Sequence, residues 1–251
     1  FGKILKRDLK VYRDELCIST KAGYDMWPGP YGAKHGSRKY LISSLDQSLK
    51  RMGLDYVDIF YHHVFDPETP LEETALALDH AVRQGKAMYV GISNYNSVQT
   101  AEIQNIFNEL KTPFIINQPS YSMFNRWIET DGLKNYADEN GLGLAVFSPL
   151  AQGLLTDKYI GSSLAASKRP WMNNTPDKKT IDKLHKLNEI ASSRGQKLSQ
   201  MALSWVLRDG KITTVLIGAS RPEQIAENAE SAFKTSFTSD ELIKIEEIIN
   251  S

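Results

Sequence analysis

Six short apolar runs in this chain each end on residues able to do chemistry. LCIST closes on Thr20-Lys21, VDIFY on His62-His63, MYVGI on Ser93-Asn94, FIIN on Gln118, GLAVF on Ser148-Pro149 and TTVLI on Gly218-Ala219-Ser220-Arg221. A lysine and a histidine can steady charge or a proton near neutral pH. A serine, an asparagine and a glutamine offer neutral donors and acceptors of the kind an amide group needs. A serine and an arginine just ahead of a helix suit a phosphate, which the free N–H groups of that helix also favour.

The elements behind these ends follow from periodicity. The apolar runs at 16–20, 57–61, 88–92, 114–118, 143–147 and 213–218 are too short for buried helices and read as strands. Helical patterns lie between and after them at 38–52, 71–84, 97–110, 130–139, 180–193, 198–208, 222–231 and 239–249. Ser239 ahead of Asp240-Glu241 and Pro222 just inside its helix serve as start signals. Strand and helix alternate without hairpin signals, so the strands form a parallel sheet covered on both faces. An open doubly wound nucleotide fold wants G-x-G-x-x-G after its first strand, whereas the only G-x-G here, Gly141-Leu-Gly143, precedes a strand. Polar residues at every strand end suit the closed alternative, a (β/α)8 TIM barrel, where the active site is built at those ends. No linker divides residues 1–251, which read as a single domain, with 160–178 as a surface loop beside the site.

Composition narrows the partners. Thirty basic residues balance thirty acidic ones, leaving no net field for nucleic acid or an anionic membrane, so a small molecule is the expected partner and a homo-oligomer stays open. No apolar run is long enough to span a bilayer and the opening FGKILKRDLK lacks the apolar heart of a signal peptide, which reads as cytoplasmic. The one cysteine, Cys17, excludes an internal disulfide and a multi-thiolate metal site, and reads as a buried strand residue. His62 and His63, adjacent on a strand, point to opposite faces and make a poor metal pair. His35, His80 and His185 receive no role, and Asn173-Asn174-Thr175 is a chance match to a glycosylation acceptor.

STK at 19–21, VDIFYHH at 57–63, GISNYN at 91–96, NQPSY at 117–121, FSPLAQGLLTDKY at 147–159 and IGASRPEQIAEN at 217–228 resemble, in order, the successive signatures of the aldo-keto reductase superfamily. The loop YDMWPGPYG followed by SRKYL, with QPSYSMFNRW and MALSWVL, is similar to its bacterial L-glyceraldehyde 3-phosphate reductases. The resemblance implies an oxidoreductase that passes hydride from NADPH to the carbonyl of a small aldehyde or ketone, L-glyceraldehyde 3-phosphate and methylglyoxal among the candidates. It makes Lys21 the catalytic lysine and His63, not His62, the catalytic histidine. An ammonium beside a phenol lowers the phenol's pKa and makes it a better acid, while the histidine orients the carbonyl.

The cofactor residues follow from the same resemblance. Ser93, Asn94 and Gln118 match the holders of the nicotinamide carboxamide, and Phe147 matches the aromatic residue stacked on the nicotinamide ring. Ser148, Pro149, Leu150, Gln152, Gly153 and Lys158 match the loop over the pyrophosphate. Gly218, Ser220, Arg221, Gln224, Glu227 and Asn228 match the turn at the adenosine end, where Ser220 and Arg221 favour NADPH over NADH. The plainer alternative there is Ser220 as a helix N-cap beside a solvated Arg221. Trp27-Pro28-Gly29-Pro30 and 120–127 are expected to wall the substrate pocket, with Arg38, Lys39 and Arg126 as candidates for a substrate phosphate.

In one respect the match is incomplete. The family's tyrosine acid and its aspartate partner have no counterpart here, and Tyr24 lies in the loop with no reason to meet Lys21 and His63. Six strands also fall short of eight. The chain is therefore expected to lack the barrel's first two strand–helix units and, on its own, to reduce aldehydes negligibly. A second reading is an NADPH-binding regulatory module resembling potassium-channel β-subunits, which share the SPL, GAS and EQ-x-x-EN motifs. Those typically carry asparagine where His63 stands, which favours the enzyme.

Overall fold

The computed structural model describes residues 1–24, 35–160 and 176–251. In chain order its helices are α1 (Gly2–Ile4), α2 (Arg38–Met52), α3 (Leu71–Arg83), α4 (Ser97–Leu110), α5 (Trp127–Thr130), α6 (Leu133–Glu139), α7 (Lys178–Ser193), α8 (Leu198–Leu207), α9 (Pro222–Ala229) and α10 (Ser239–Asn250). The strands are β1 (Ser19–Ala22), β2 (Val57–His62), β3 (Ala87–Ser93), β4 (Phe114–Gln118), β5 (Gly143–Val146) and β6 (Thr214–Val215). They pair in parallel in the order β1-β2-β3-β4-β5-β6. A parallel sheet in sequence order with helical crossovers is an α/β architecture, and near-continuous apolar strands such as Val57–His62 are what burial on both faces requires.

The chain divides into two compact units, Phe1–Pro119 with Asp131–Leu144, and Ser120–Thr130 with Ala145–Ser251. In the first, α2 turns Leu41, Leu45 and Leu49 inward at four-residue spacing, and they join Val57, Phe60, Leu78, Val90, Ile92, Ile103 and Phe107 in one core. In the second, Leu184, Leu187, Leu198, Met201, Trp205, Val206 and Ile245 are buried on α7, α8 and α10. Among the described residues no helix is long and apolar enough to cross a membrane.

Several elements depart from the sequence reading. The first strand starts at Ser19 rather than Leu16, so Lys21 lies inside it. Ahead of it the Asp58 carboxylate accepts the Ile18 N–H at 2.7 Å and pairs with Arg13 at 2.9 Å, while the Ile18 carbonyl accepts the Asp58 N–H at 2.8 Å. Ile18 carries the burial and Cys17 is exposed, contrary to expectation. The last strand shrinks to Thr214–Val215, which pairs only with β5, and Leu216, Ile217 and Gly218 are exposed. The helix expected from 130 is broken: Asp131 accepts the Ser97 N–H at 2.7 Å, at the start of the α4 helix that Asn96 caps, and Gly132 at φ +85° precedes α6. The cap of α10 is Thr238, which exchanges hydrogen bonds with Glu241, not Ser239. Pro222 opens α9 as expected. The Trp27–Pro30 loop, most of 160–178 and the Asn173 acceptor lie outside the described residues.

Candidate active site

In the first unit, five of the expected residues form one hydrogen-bonded chain. Lys21, half-buried on β1, donates from Nζ to Gln118 Oε1 at 2.6 Å. The Gln118 carbonyl accepts from the Ser93 hydroxyl at 2.7 Å and from the Asn94 N–H at 3.3 Å. Asn94 Nδ2 donates to Ser93 Oγ at 3.2 Å and to the His63 carbonyl at 3.0 Å, and the His63 N–H donates to Ala22 at 2.9 Å. Neighbouring strands in matched register produce this convergence: Ser93 lies opposite Gln118, and Lys21 opposite Tyr61.

Two glycines make room for it. Gly23, at φ +149°, packs so tightly that a Cβ would come 3.0 Å from the His63 nitrogen and 3.2 Å from the His62 ring. A Cβ at Gly91 would lie 2.6 Å from the Tyr61 ring, so the glycine of GISN leaves space for a buried phenol. That phenol is hydrogen-bonded by the Gln118 side chain, yet burial dominates and pushes its pKa up to about 12.

Electrostatics sets the protonation states. Burial lowers the pKa of Lys21. His63 is lowered to about 4, first by burial and then by the Lys21 ammonium, so at neutral pH it is a neutral imidazole that donates or accepts a hydrogen bond but gives up no net proton. Tyr24, expected to stay apart, sets its ring edge against His63 with centroids 4.5 Å apart. Its backbone carbonyl accepts from the Tyr40 hydroxyl, which draws the strand end back over the histidine.

The expected cofactor residues of the second unit, all except Phe147, line a single cavity of about 780 Å³. Phe147 is half-buried after β5, bridged to Ser120, with its carbonyl accepting from the Tyr121 N–H at 3.2 Å. The loop after it is strained, with Ser148, Ala151 and Gln152 at φ +55°, +47° and +57°. Such backbone costs about 1–3 kcal/mol per residue and collects at functional sites, where irregular turns aim N–H groups at anions. Beyond β6, Arg221 stands at the N-cap of α9 and Pro222 at its first turn. Ser220 is therefore not the cap. Its N–H and hydroxyl both go to Gln224 Oε1, at 2.8 and 3.2 Å.

The family pattern described as "Aldo/keto reductase family" matches residues 1–250. The chain belongs to the aldo/keto reductase family. Two Escherichia coli proteins, from strain K12 and from O157:H7, each described as L-glyceraldehyde 3-phosphate reductase, are 52% identical over 257 residues, covering 99% of this chain and 74% of theirs. A protein of Oryza sativa subsp. japonica assigned as a voltage-gated potassium channel subunit beta is 34% identical, covering 98% of this chain and 77% of its own.

For this reductase-family chain the structure also shows what the sequence concealed. Lys197, a cation lining the second unit's cavity and paired with Glu227 at 2.7 Å, starts a helix rather than ending a strand and so carried no motif. Tyr61 was findable, since residues two apart on a strand share a face with each other, here with His63. Arg126 is a correction. It is bound by Glu129 and Glu246, each at 2.5 Å, so its charge is already matched within its own unit. Arg38 donates from its guanidinium to the Leu76 carbonyl at 3.2 Å. Among the described residues no cluster of His, Cys, Asp and Glu could hold a metal.

Proposed function

We propose that this chain carries the cofactor grip and the carbonyl-activating groups of an NADPH-dependent reductase acting on small aldehydes, L-glyceraldehyde 3-phosphate being the first substrate to test. The observation that carries the reading is the unbroken hydrogen-bond chain from Lys21 through Gln118, Ser93 and Asn94 to His63. It joins the Lys21 side chain to the three proposed holders of a carboxamide and ends on the backbone carbonyl of His63. The higher identity to the reductases, 52% against 34% for the channel subunit, supports the enzyme over the regulatory module.

The second unit's cavity fits a dinucleotide in kind. Arg221 and Ser220 ahead of α9, the strained 148–153 backbone and Lys158 are the donors a 2′-phosphate and a pyrophosphate would need. Gln224, Glu227 and Asn228 would meet the adenosine, and Phe147 the nicotinamide ring. When bound, the cofactor supplies a hydride, two electrons and a hydrogen, to the carbonyl carbon. Neutral His63 orients the carbonyl by a hydrogen bond and Lys21 contributes positive charge where negative charge gathers on oxygen. The proton that oxygen then takes is assigned to no tyrosine of the described residues. Tyr61 holds its proton to about pH 12, and Tyr24 meets His63 in a T-shaped ring contact. We read the six parallel strands as part of a single (β/α)8 barrel domain in which a further strand end brings the acid. The longer relatives support that reading.

The test is a turnover screen of the full-length protein with NADPH and with NADH against L-glyceraldehyde 3-phosphate, methylglyoxal and plain aldehydes. Oxidation of NADPH tied to aldehyde loss is expected. Tight NADPH binding without turnover of any aldehyde would overturn the enzyme in favour of a cofactor-binding module.

A further inference from the structure

Consecutive residues of a strand face opposite ways, so if His63 serves the proposed site, His62 serves whatever lies behind it. Behind it is Tyr95. His62 is fully buried, and its Nδ1 lies 2.6 Å from the Tyr95 hydroxyl, also fully buried. Burial lowers the His62 pKa to about 4, against a contribution from the His35 backbone that raises it, and burial raises that of Tyr95. Both groups are neutral. The phenol O–H can donate to Nδ1 when the imidazole proton sits on Nε2, a buried nitrogen that makes no hydrogen bond among the described residues.

The main chain of Tyr95 is held separately. Its carbonyl accepts from Asn117 Nδ2 at 3.1 Å, and the same amide reaches Thr100 Oγ1 at 3.0 Å, whose hydroxyl donates to Asn96 at 2.6 Å. Its ring meets Phe65 edge-on at 5.4 Å. Tyr95 is thus pinned by β2 through its side chain and by β4 through its backbone. Directly before it stands Asn94 at φ +58°, a left-handed conformation that asparagine adopts more readily than other side chains do.

We infer that His62 and Tyr95 are positioning residues: their buried hydrogen bond fixes the left-handed Ser93–Asn94 turn, and with it the amide and hydroxyl groups presented to the nicotinamide carboxamide. The inference rests on the proposed role of Ser93 and Asn94. It adds that one strand end, His62-His63, sets both the carbonyl-orienting group on one face and the geometry of the carboxamide holder on the other. The pair touches no substrate or cofactor. It acts by denying the turn an alternative conformation, and a shift of about 1 Å at a reacting site can cost roughly 10²-fold.

The experiment uses the full-length protein, NADPH titrated by fluorescence, and Tm measured beside it. Tyr95→Phe and His62→Leu are each expected to weaken NADPH about tenfold, the scale of one buried hydrogen bond whose partner is stranded. His62→Asn, whose Oδ1 can accept the phenol proton near where Nδ1 stood, should keep most of the affinity. The Tyr95→Phe, His62→Leu double variant should be no worse than either single change, because both remove one bond. Asn94→Ala separates the two ways of failing. Should it leave NADPH affinity unchanged, the carboxamide reading falls and this inference with it. If Asn94→Ala weakens NADPH while Tyr95→Phe and His62→Leu lower only Tm, the pair is structural and the inference alone is overturned. Additive losses in the double variant overturn it too. Tyr95→Phe and His62→Asn carry the result if His62→Leu does not fold.

Discussion

In the first unit the candidate residues already hold one another: Lys21 has Gln118, Ser93 has the Gln118 carbonyl, and Asn94 has Ser93 and His63. In the second they surround a cavity; side-chain bonds there run from Ser220 to Gln224 and from Lys197 to Glu227, and turn hydrogen bonds such as Gly153 N–H to the Leu150 carbonyl hold the loop. The first set sits on or just after β1 to β4, neighbours paired in one parallel ladder, so its geometry comes with the sheet. The second follows β5 and the two-residue β6, where the ladder runs out, and much of it is exposed. Groups that must meet a transition state gain from being fixed in advance, since no reorganisation is then needed during reaction. Groups that grip a long, charged molecule gain from access. The two regions should therefore fail differently: changes at Lys21 and His63 should act on turnover, and changes in the second set on affinity.

The largest effect should come from His63→Ala. In the full-length protein we expect kcat to fall by the ~10²–10⁴-fold typical of a group supporting proton transfer, with NADPH affinity nearly intact. Steady-state kinetics with a parallel binding titration checks this. A loss confined to NADPH affinity would erase the distinction between the two regions.

Acid should damage the first region before the second. His62 and His63 are both held near pKa 4 in the folded chain against about 6.5 when unfolded. Between those values the unfolded chain binds more protons, so stability is complete above pH 6.5 and is lost as pH falls towards 4. For the fully buried His62, 2.5 pKa units correspond to about 3 kcal/mol. The measurement is Tm or urea midpoint against pH, with His62→Asn expected to flatten the slope between 6.5 and 4. An unchanged slope would mean that His62 does not titrate there.

Arg221→Ala probes the open region. It should weaken NADPH by about 1.5–3 kcal/mol, the range for a hydrogen bond to a charged group, and change NADH little. Equal losses for both cofactors, read by fluorescence titration, would show that Arg221 does not read the 2′-phosphate.

The same contrast governed what could be read from the chain. Lys21, His63, Ser93, Asn94 and Gln118 were legible because strand ends punctuate an apolar pattern with polar residues, and parallel registers then bring neighbouring ends into line. The helices were legible where leucines repeat every four residues, as at 41, 45 and 49. What escaped was whatever depends on partners distant in sequence. Where β1 starts late, Asp58 captures Ile18 and Arg13; before α6, Asp131 bonds to Ser97. The exposure of Cys17 depends on that same delayed strand start. Arg126 looked like a candidate for phosphate because two carboxylates, one of them 120 residues away, cannot be seen from its neighbours. Tyr95 and His62 looked inert for a similar reason: a hydrogen bond between two strand ends has no motif.

The smallest effect is also the sharpest comparison, because it should move stability and affinity in opposite directions. Gln152 holds φ +57° and ψ +25° inside a three-residue 3-10 turn, with Ala151 before it also left-handed. An L side chain there carries strain of about 1 kcal/mol or more that glycine does not, partly offset by glycine's greater freedom in the unfolded chain. Gln152→Gly should therefore stabilise the folded protein by a few tenths to about 1 kcal/mol, seen as a small rise in Tm or urea midpoint. If the loop's strain serves the cofactor, the same substitution should weaken NADPH several-fold, through loss of the side chain and of a rigid backbone. Ser93 and Gln118 should not behave this way, since they gain stability from the very bonds that position them. A Gln152→Gly variant that is both less stable and unchanged in NADPH binding would show that the strain is incidental to the site.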